Sequence, residues 1–167
     1  NGKVVTQMGY KLQLSDEVKF NDTKIKSETL RYLLLNKPKN YSGRMDDISK
    51  KRTVRELING ACKETITPIG RLGKNATGLL LFTNDTELAK KLSNPQKRIK
   101  EIYHLFLDKK LKSSDLKKLK DGVSIHGRQA EINSVSYISG KDKNEVGLEL
   151  SMGGIKMANI IFEQIGY

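Results

Sequence analysis

The residues of this chain that could do chemistry are chiefly basic, and several of them flank short loops. Lys37 and Lys39 surround a proline that follows an apolar run, and Arg71 and Lys74 lie in a glycine-containing loop. A lysine ammonium acts as a point charge, so it binds phosphate better than it reads base edges. The pattern predicts contacts with a phosphate-rich ligand, although a run of charge can equally be a solvated surface.

The distribution of charge points to the same class of ligand. The net charge is +12 at pH 7, yet residues 1–120 contain 27 basic and 13 acidic residues, whereas residues 121–167 contain 4 and 6. A positive field favours a polyanion because each neutralised phosphate releases condensed counterions. We therefore expect an anionic polymer to bind mainly the upstream part of the chain.

Composition also excludes several classes of protein. Cys62 is the single cysteine, which excludes an internal disulfide framework, and His104 and His126 lie too far apart in sequence to suggest a metal site. The longest apolar run, Gly78 to Phe82, is far shorter than the roughly 20 residues of a membrane helix. We expect a cytoplasmic protein without a metal and without a membrane span.

The acids that could serve as nucleophile or base are few. Asp46 and Asp47 are adjacent in a polar loop, where paired carboxylates usually remain solvated. Asp85 directly precedes a helical pattern, so it is expected to cap that helix.

Short strand-like and helix-like runs alternate and must position these residues. Leu30 to Asn36 reads as a strand buried on both faces, and Ile66 to Ile69 and Thr77 to Thr83 read as strands on either side of the loop that contains Arg71. Further strand-like runs are Ile99 to Leu107, Ala130 to Ile138 and Val146 to Ser151. The pattern predicts an α+β fold, with a mostly antiparallel central sheet flanked by short helices.

The run from Pro68 to Asp85 resembles the signature of ribosomal RNA pseudouridine synthases of the small-subunit-enzyme type. Three further pieces agree with that family in order and spacing: Tyr32 to Lys39, Lys100 to His104, and Ile161 to Tyr167. The resemblance implies a pseudouridine-synthase-like domain over residues 28–167, incomplete at its C-terminus. It also implies that residues 1–27 are the last part of a small RNA-binding domain plus a linker.

The family flips a uridine out of its RNA, breaks the bond between base and ribose, and rejoins the base through carbon, without a cofactor. The resemblance places the family's indispensable aspartate at the position held here by Gly73. Glycine can neither attack a sugar nor take a proton, so this residue is expected to be non-functional and to ease a tight loop. Tyr103 corresponds to the tyrosine that stacks on the flipped base, and an aromatic packed into the strand core is the alternative.

Other positions depart from the family as well. Glu101 stands where the family carries a lysine, and Gly154, Lys156, Asn159 and Ile160 stand where it carries four arginines. Lys156 is then the residual basic residue of the site. Lys37, Lys39, Arg71 and Lys74 are the residues expected to meet RNA phosphates.

These observations lead to one main hypothesis and two alternatives. The main hypothesis is an RNA-binding homologue of rRNA pseudouridine synthases that is inactive or strongly impaired. The alternatives are an active synthase that carries an engineered or erroneous change, and a structural or ribosome-associated interaction protein. The oligomeric state and the modified nucleotide are left open by the sequence.

Overall fold

The computed structural model describes residues 2–13, 15–25, 28–46, 52–125, 127–151 and 154–167. The chain divides into two compact units, residues 1–30 and residues 31–167. The predicted boundary after residue 27 and the identity of the first unit remain predictions.

The small unit contains one hairpin, with strand β1 (Lys19–Phe20) paired to strand β2 (Thr23–Lys24). Asn21 and Asp22 form its two-residue turn with φ values of 47° and 58°, the left-handed conformation that Asn and Asp adopt more readily than other residues with side chains. Residues 3–6 form no strand, although their two valines favour one.

The first sheet of the large unit has the order β3-β5-β4, and both of its strand pairs are antiparallel. Its strands are β3 (Tyr32–Lys37), β4 (Thr67–Ile69) and β5 (Gly78–Thr83). The helices in this part of the chain are α1 (Val54–Leu57), α2 (Thr86–Ser93) and a 3-10 turn (Pro95–Lys97). The core of this part consists of Val54, Ile58, Ile66, Leu80 and Phe82.

The second sheet has the order β6-β10-β9 and is antiparallel as well. Its strands are β6 (Glu101–Phe106), β9 (Ile132–Tyr137) and β10 (Glu145–Leu150). Helices α3 (Ser113–Asp121) and α4 (Gly154–Gln164) and the hairpin of β7 (Ser124–Ile125) with β8 (Arg128–Gln129) complete this part. Leu148 on β10 and Ile161 and Phe162 on α4 lie in its core.

The α+β class and the antiparallel pairing are therefore confirmed, with the strands of the described residues divided among two three-stranded sheets and two two-stranded hairpins. The expectation that the strand after Leu30 is buried on both faces is wrong. Along β3 exposed and less exposed side chains alternate, and Leu34 is 63% exposed. An antiparallel sheet needs cover on only one face, and a nearly continuous apolar run does not reveal this.

The helix ends follow local sequence signals closely. Asp85 caps α2 by accepting a hydrogen bond from the Leu88 amide at 2.9 Å, as predicted, and α3 ends at Gly122. At the start of α3, however, Lys112 occupies the N-cap without a side-chain hydrogen bond. None of the helices in the described part of the chain combines the length and apolar character that crossing a membrane requires.

Candidate functional site

The loop between β4 and β5 carries Gly73, and two contacts with an earlier loop hold it in place. The Asn40 amide donates a hydrogen bond to the Lys74 carbonyl oxygen at 2.8 Å. The backbone of Leu72 lies so close to Gly43 that any Cβ at position 43 would collide with the Leu72 carbonyl. Leu72 also packs against the core of the first sheet. The loop backbone is therefore anchored on both sides of Gly73.

Gly73 itself does not need to be a glycine. Among the described residues, no heavy atom lies within 4 Å of the place that its Cβ would occupy, and its φ lies outside the left-handed region. The positive φ values that favour glycine occur instead at the two ends of the loop, where Gly70 and Gly78 have φ values of 76° and 128°. The expectation that Gly73 eases a tight loop is therefore wrong, since its backbone conformation does not require glycine and a Cβ would fit there without a clash.

Three of the four residues that are predicted to contact phosphate are exposed on these two loops. Arg71 and Lys74 are exposed in the β4–β5 loop, and Lys39 is exposed next to Asn40, which is bonded to Lys74. The hydrogen bond therefore brings the backbone segments that carry Lys39 and Lys74 together. Contact of these side chains with RNA remains a prediction.

Lys37 differs from the other three because its side chain is buried, with 0% exposure. Its ammonium donates hydrogen bonds to the carbonyl oxygens of Pro38 and Tyr41, both at 3.0 Å. Burial lowers the pKa of Lys37. The geometry gives this lysine a structural role, closing the loop that follows β3, and does not present its ammonium to a ligand.

Tyr103 and Glu101 form the second part of the candidate site. They are two residues apart on β6, so their side chains lie on the same face of the sheet. The Tyr103 hydroxyl donates a hydrogen bond to the Glu101 carboxylate. Burial, and then this bond to Glu101, raise the pKa of Tyr103 well above its usual range. The phenol therefore stays protonated at neutral pH.

The start of α4 lies against this pair. A Cβ on Gly154 would stand 3.6 Å from both the Glu101 carboxylate and the Tyr103 hydroxyl. Gly154 has φ of 57°, a conformation that favours glycine over any residue with a longer side chain. Lys156 follows in the first turn of α4 and is exposed. The negative charge of Glu101 therefore lies near a helix N-terminus, where a carboxylate is favoured.

The structure thus assembles two groups of site residues. One is the pair of loops with Lys39, Arg71, Gly73 and Lys74, and the other is Tyr103 with Glu101 and the start of α4. Since no described heavy atom approaches the Cβ position of Gly73 within 4 Å, Tyr103 does not touch that position. The contact between Glu101 and Tyr103 was missed from sequence, although the spacing of two within a strand is a usable signal.

Two of the three acids considered as substitutes, Asp46 and Asp85, form contacts of their own. Asp46 forms an ion pair with Arg55, and Asp47 lies outside the described residues. Asp85 caps α2 and accepts a hydrogen bond from the Tyr32 hydroxyl at 2.7 Å. The Leu88 amide, followed by Tyr32, lowers the pKa of Asp85, which makes it a poor base.

No metal centre is evident in the described part of the chain, where three or more His, Cys, Asp or Glu side chains nowhere gather in a suitable group. His104 hydrogen-bonds Glu145 at 2.9 Å and stacks on Phe106. Cys62 donates its thiol hydrogen to the Glu64 carbonyl. The other histidine, His126, lies outside the described residues.

Comparison with known proteins identifies a family. Residues 31–153 match the RNA pseudouridylate synthase family. A Bacillus subtilis (strain 168) protein named ribosomal large subunit pseudouridine synthase B is 32% identical over 170 residues, which cover 100% of this chain and 69% of that protein. An Aquifex aeolicus (strain VF5) protein named uncharacterized RNA pseudouridine synthase is 32% identical over 148 residues, or 86% of this chain and 58% of that protein.

A solved structure shares the fold. It is titled as the crystal structure of pseudouridylate synthase and matches with a TM-score of 0.69 at 23% sequence identity, covering 99% of this chain and 71% of the other. The chain therefore spans about three fifths to seven tenths of the length of these proteins.

Proposed function

This chain belongs to the RNA pseudouridylate synthase family, and from that premise we propose that it binds RNA, with ribosomal RNA as the favoured ligand, without isomerising uridine. The names of its relatives support the RNA class of ligand. Ribosomal RNA as the ligand would place the protein in the cytoplasm.

The observation that carries the proposal is the open space at Gly73. The resemblance puts the family's essential aspartate at this position, and the anchored loop would accept a side chain there without strain. A carboxylate at neutral pH can attack the sugar or remove a proton, whereas glycine offers neither function. Loss of a nucleophile in a well-studied protease lowers turnover about 10⁶-fold, so we expect turnover to be lost or nearly lost.

Glu101 is the acid closest to Tyr103, yet its geometry does not suit it to replace the missing aspartate. Its carboxylate accepts a hydrogen bond from the Tyr103 hydroxyl and lies beside the start of α4, while the residue remains exposed. General bases work best in sites that exclude water and hold them against the reacting atom. We infer that Glu101 positions Tyr103 and does not act on a sugar.

Retention of RNA binding is supported by charge. Lys39, Arg71 and Lys74 remain exposed on two bonded loops, and most of the positive charge lies in the same upstream part of the chain. Each phosphate that such side chains neutralise contributes to a salt-dependent affinity. Binding without catalysis is therefore the function that the described geometry supports best.

The test measures binding and product formation separately. The purified chain is incubated with a ribosomal RNA transcript, affinity is measured at several salt concentrations, and pseudouridine is quantified by mass spectrometry. We expect salt-sensitive binding and no pseudouridine above a control without protein. Formation of pseudouridine by the unaltered chain would refute the proposal.

Substitution at position 73 distinguishes the alternative of an altered but otherwise competent synthase. Gly73→Asp adds a carboxylate in open space, and Gly73→Asn is the matched control of the same shape without the charge. Recovery of activity with Asp alone would show that the rest of the site remains competent. Continued inactivity of both variants would implicate Glu101 and the start of α4 as well. If the chain had no affinity for RNA, a structural or ribosome-associated role would be favoured.

A further inference from the structure

A second basic surface lies on a different part of the large unit from the Gly73 loop. Twelve residues, 109–120, include six lysines, and all six are exposed. We call them the α3 lysine surface: Lys109, Lys110, Lys112, Lys117, Lys118 and Lys120. We propose that this surface binds the phosphate backbone of RNA, independently of base sequence, as a second contact in addition to the candidate site.

The backbone that carries these lysines is held rigidly before α3 begins. The Leu111 amide donates to the Lys143 carbonyl at 3.0 Å, and the Leu111 carbonyl accepts from the Tyr137 hydroxyl at 2.8 Å. The Lys112 amide donates to the Tyr167 hydroxyl at 3.1 Å. Leu111 is 1% exposed. A rigid backbone lowers the entropy lost when the attached charges bind a ligand.

Helix α3 exposes its lysines to solvent and buries its leucines in the core. Leu119 is fully buried and Leu116 packs beside the same core, while Lys117, Lys118 and Lys120 are exposed. With 3.6 residues per turn, Lys117 and Lys118 lie on the arc opposite the two leucines, whereas Lys120 follows Leu116 by four residues and borders the buried face. The C-terminal half of the helix therefore displays positive charge to solvent.

Three carboxylates lie within or directly beside this segment, those of Asp108, Asp115 and Asp121, against its six lysines. Asp115 is already shared by Lys118 and the Tyr167 hydroxyl, both at 2.9 Å, and Lys110 pairs with Asp142 at 3.4 Å. Lys112, Lys117 and Lys120 form no ion pair with any described residue. Residues 108–121 thus keep a net charge of +3, from six lysines and three aspartates, and this charge suits phosphate and not a basic or apolar partner.

RNA is favoured over other anionic partners because the proposed function supplies it, and the inference rests on that function. Lysine ammonium groups neutralise phosphates without fixed geometry, so the expected contact is with backbone and independent of base identity. The surface would add affinity and orient the bound RNA without taking part in chemistry.

The test compares two triple variants of equal charge. Lys112, Lys117 and Lys120 are changed to Gln together, and the control changes Lys63, Lys90 and Lys141, which are exposed and scattered over the large unit. RNA affinity of each full chain is measured across a salt series, and thermal melts verify folding. For the α3 triple we expect affinity to fall tenfold or more at low salt. For the same variant, the slope of log affinity against log salt concentration should become less steep by about 2 to 3, because each lost phosphate contact contributes ~0.9 to that slope.

The outcomes separate this inference from the proposed function. Equal losses in the two triples would indicate a general charge effect and overturn the inference, as would an unchanged α3 triple in a chain that binds RNA. Failure of the unaltered chain to bind RNA overturns both proposals. Binding of the unaltered chain to anionic lipid vesicles but not to RNA would identify a membrane surface and also overturn the inference.

Discussion

Glu101 and Tyr103 share one face of strand β6, and the tyrosine hydroxyl donates its hydrogen bond to the glutamate carboxylate beside the first residue of α4. This contact joins the β6 strand to the start of the last helix, two places where the chain is expected to differ from other members of its family. It keeps an acid next to the tyrosine that is expected to meet the base. Its effect on that tyrosine can be measured directly.

Removal of Glu101 should make Tyr103 more acidic. The neutral phenol is favoured in the folded state, so the stability from this pair is present below the ordinary tyrosine pKa of about 10 and is lost as pH rises above it. Glu101→Ala removes the acceptor and the charge, whereas Glu101→Gln keeps an acceptor. We expect the pKa of Tyr103 to fall in both variants, further with Ala, as followed by ultraviolet titration of tyrosinate.

Tyr103→Phe identifies the relevant transition in that titration. Because burial remains in both Glu101 variants, the pKa of Tyr103 should stay above its ordinary value. A tyrosine titration that does not change when Glu101 is replaced would contradict the contact.

Gly73→Ala should leave stability unchanged or raise it. Alanine restricts the unfolded chain, and at a position without strain or contact this stabilises a protein by about 0.4 to 1 kcal/mol. Gly70→Ala is the matched control in the same loop, because its φ of 76° should make alanine cost about 1 to 2 kcal/mol. Denaturant unfolding measures both values. If Gly73→Ala were the more damaging change, the description of an open position would be wrong.

Lys37 and Lys39 should differ in what they affect. Lys37→Ala leaves the carbonyl oxygens of Pro38 and Tyr41 without their buried donor, which should cost about 2 kcal/mol of stability. Lys39→Ala alters an exposed side chain and should change stability by less than about 0.5 kcal/mol while weakening RNA binding. Unfolding and binding measurements on the same preparations separate the two roles. Equal stability of the two variants would argue against the buried position of Lys37.

The Asp85 carboxylate should stabilise the folded state at neutral pH, and this stabilisation should be lost in acid. The Leu88 amide, and then the Tyr32 hydroxyl, lower the pKa of this carboxyl in the folded state. Its contribution is therefore present above the ordinary aspartate pKa of about 3.9 and is lost as pH falls through the lowered value. Asp85→Ala should lower the melting temperature at neutral pH and reduce this acid sensitivity.

Asp85→Asn is the control for the cap alone, since asparagine also accepts the amide hydrogen bond at an N-cap. It should melt between the unaltered chain and the Ala variant at neutral pH. Thermal melts from neutral to acidic pH give the comparison. Identical melting of the Asn and Ala variants would show that the N-cap hydrogen bond does not account for the stability that Asp85 contributes.

Local chemistry in the sequence by itself determined much of this protein. The apolar runs predicted the strands on either side of the Gly73 loop, and Asp85 predicted the start of α2. These features depend on hydrogen bonds and backbone preferences within a few residues. The signature from Pro68 to Asp85 indicated the family for the same reason, because it is one continuous segment.

Only the tertiary structure decided which of these residues are available for function. Lys37 and Lys39 look alike in sequence, but the fold of the following loop buries the first and exposes the second. Whether Gly73 is required depends on what surrounds its missing side chain, and whether a face of β3 is covered depends on distant elements. Burial and close approach arise from contacts between segments far apart in the chain, which no local pattern encodes.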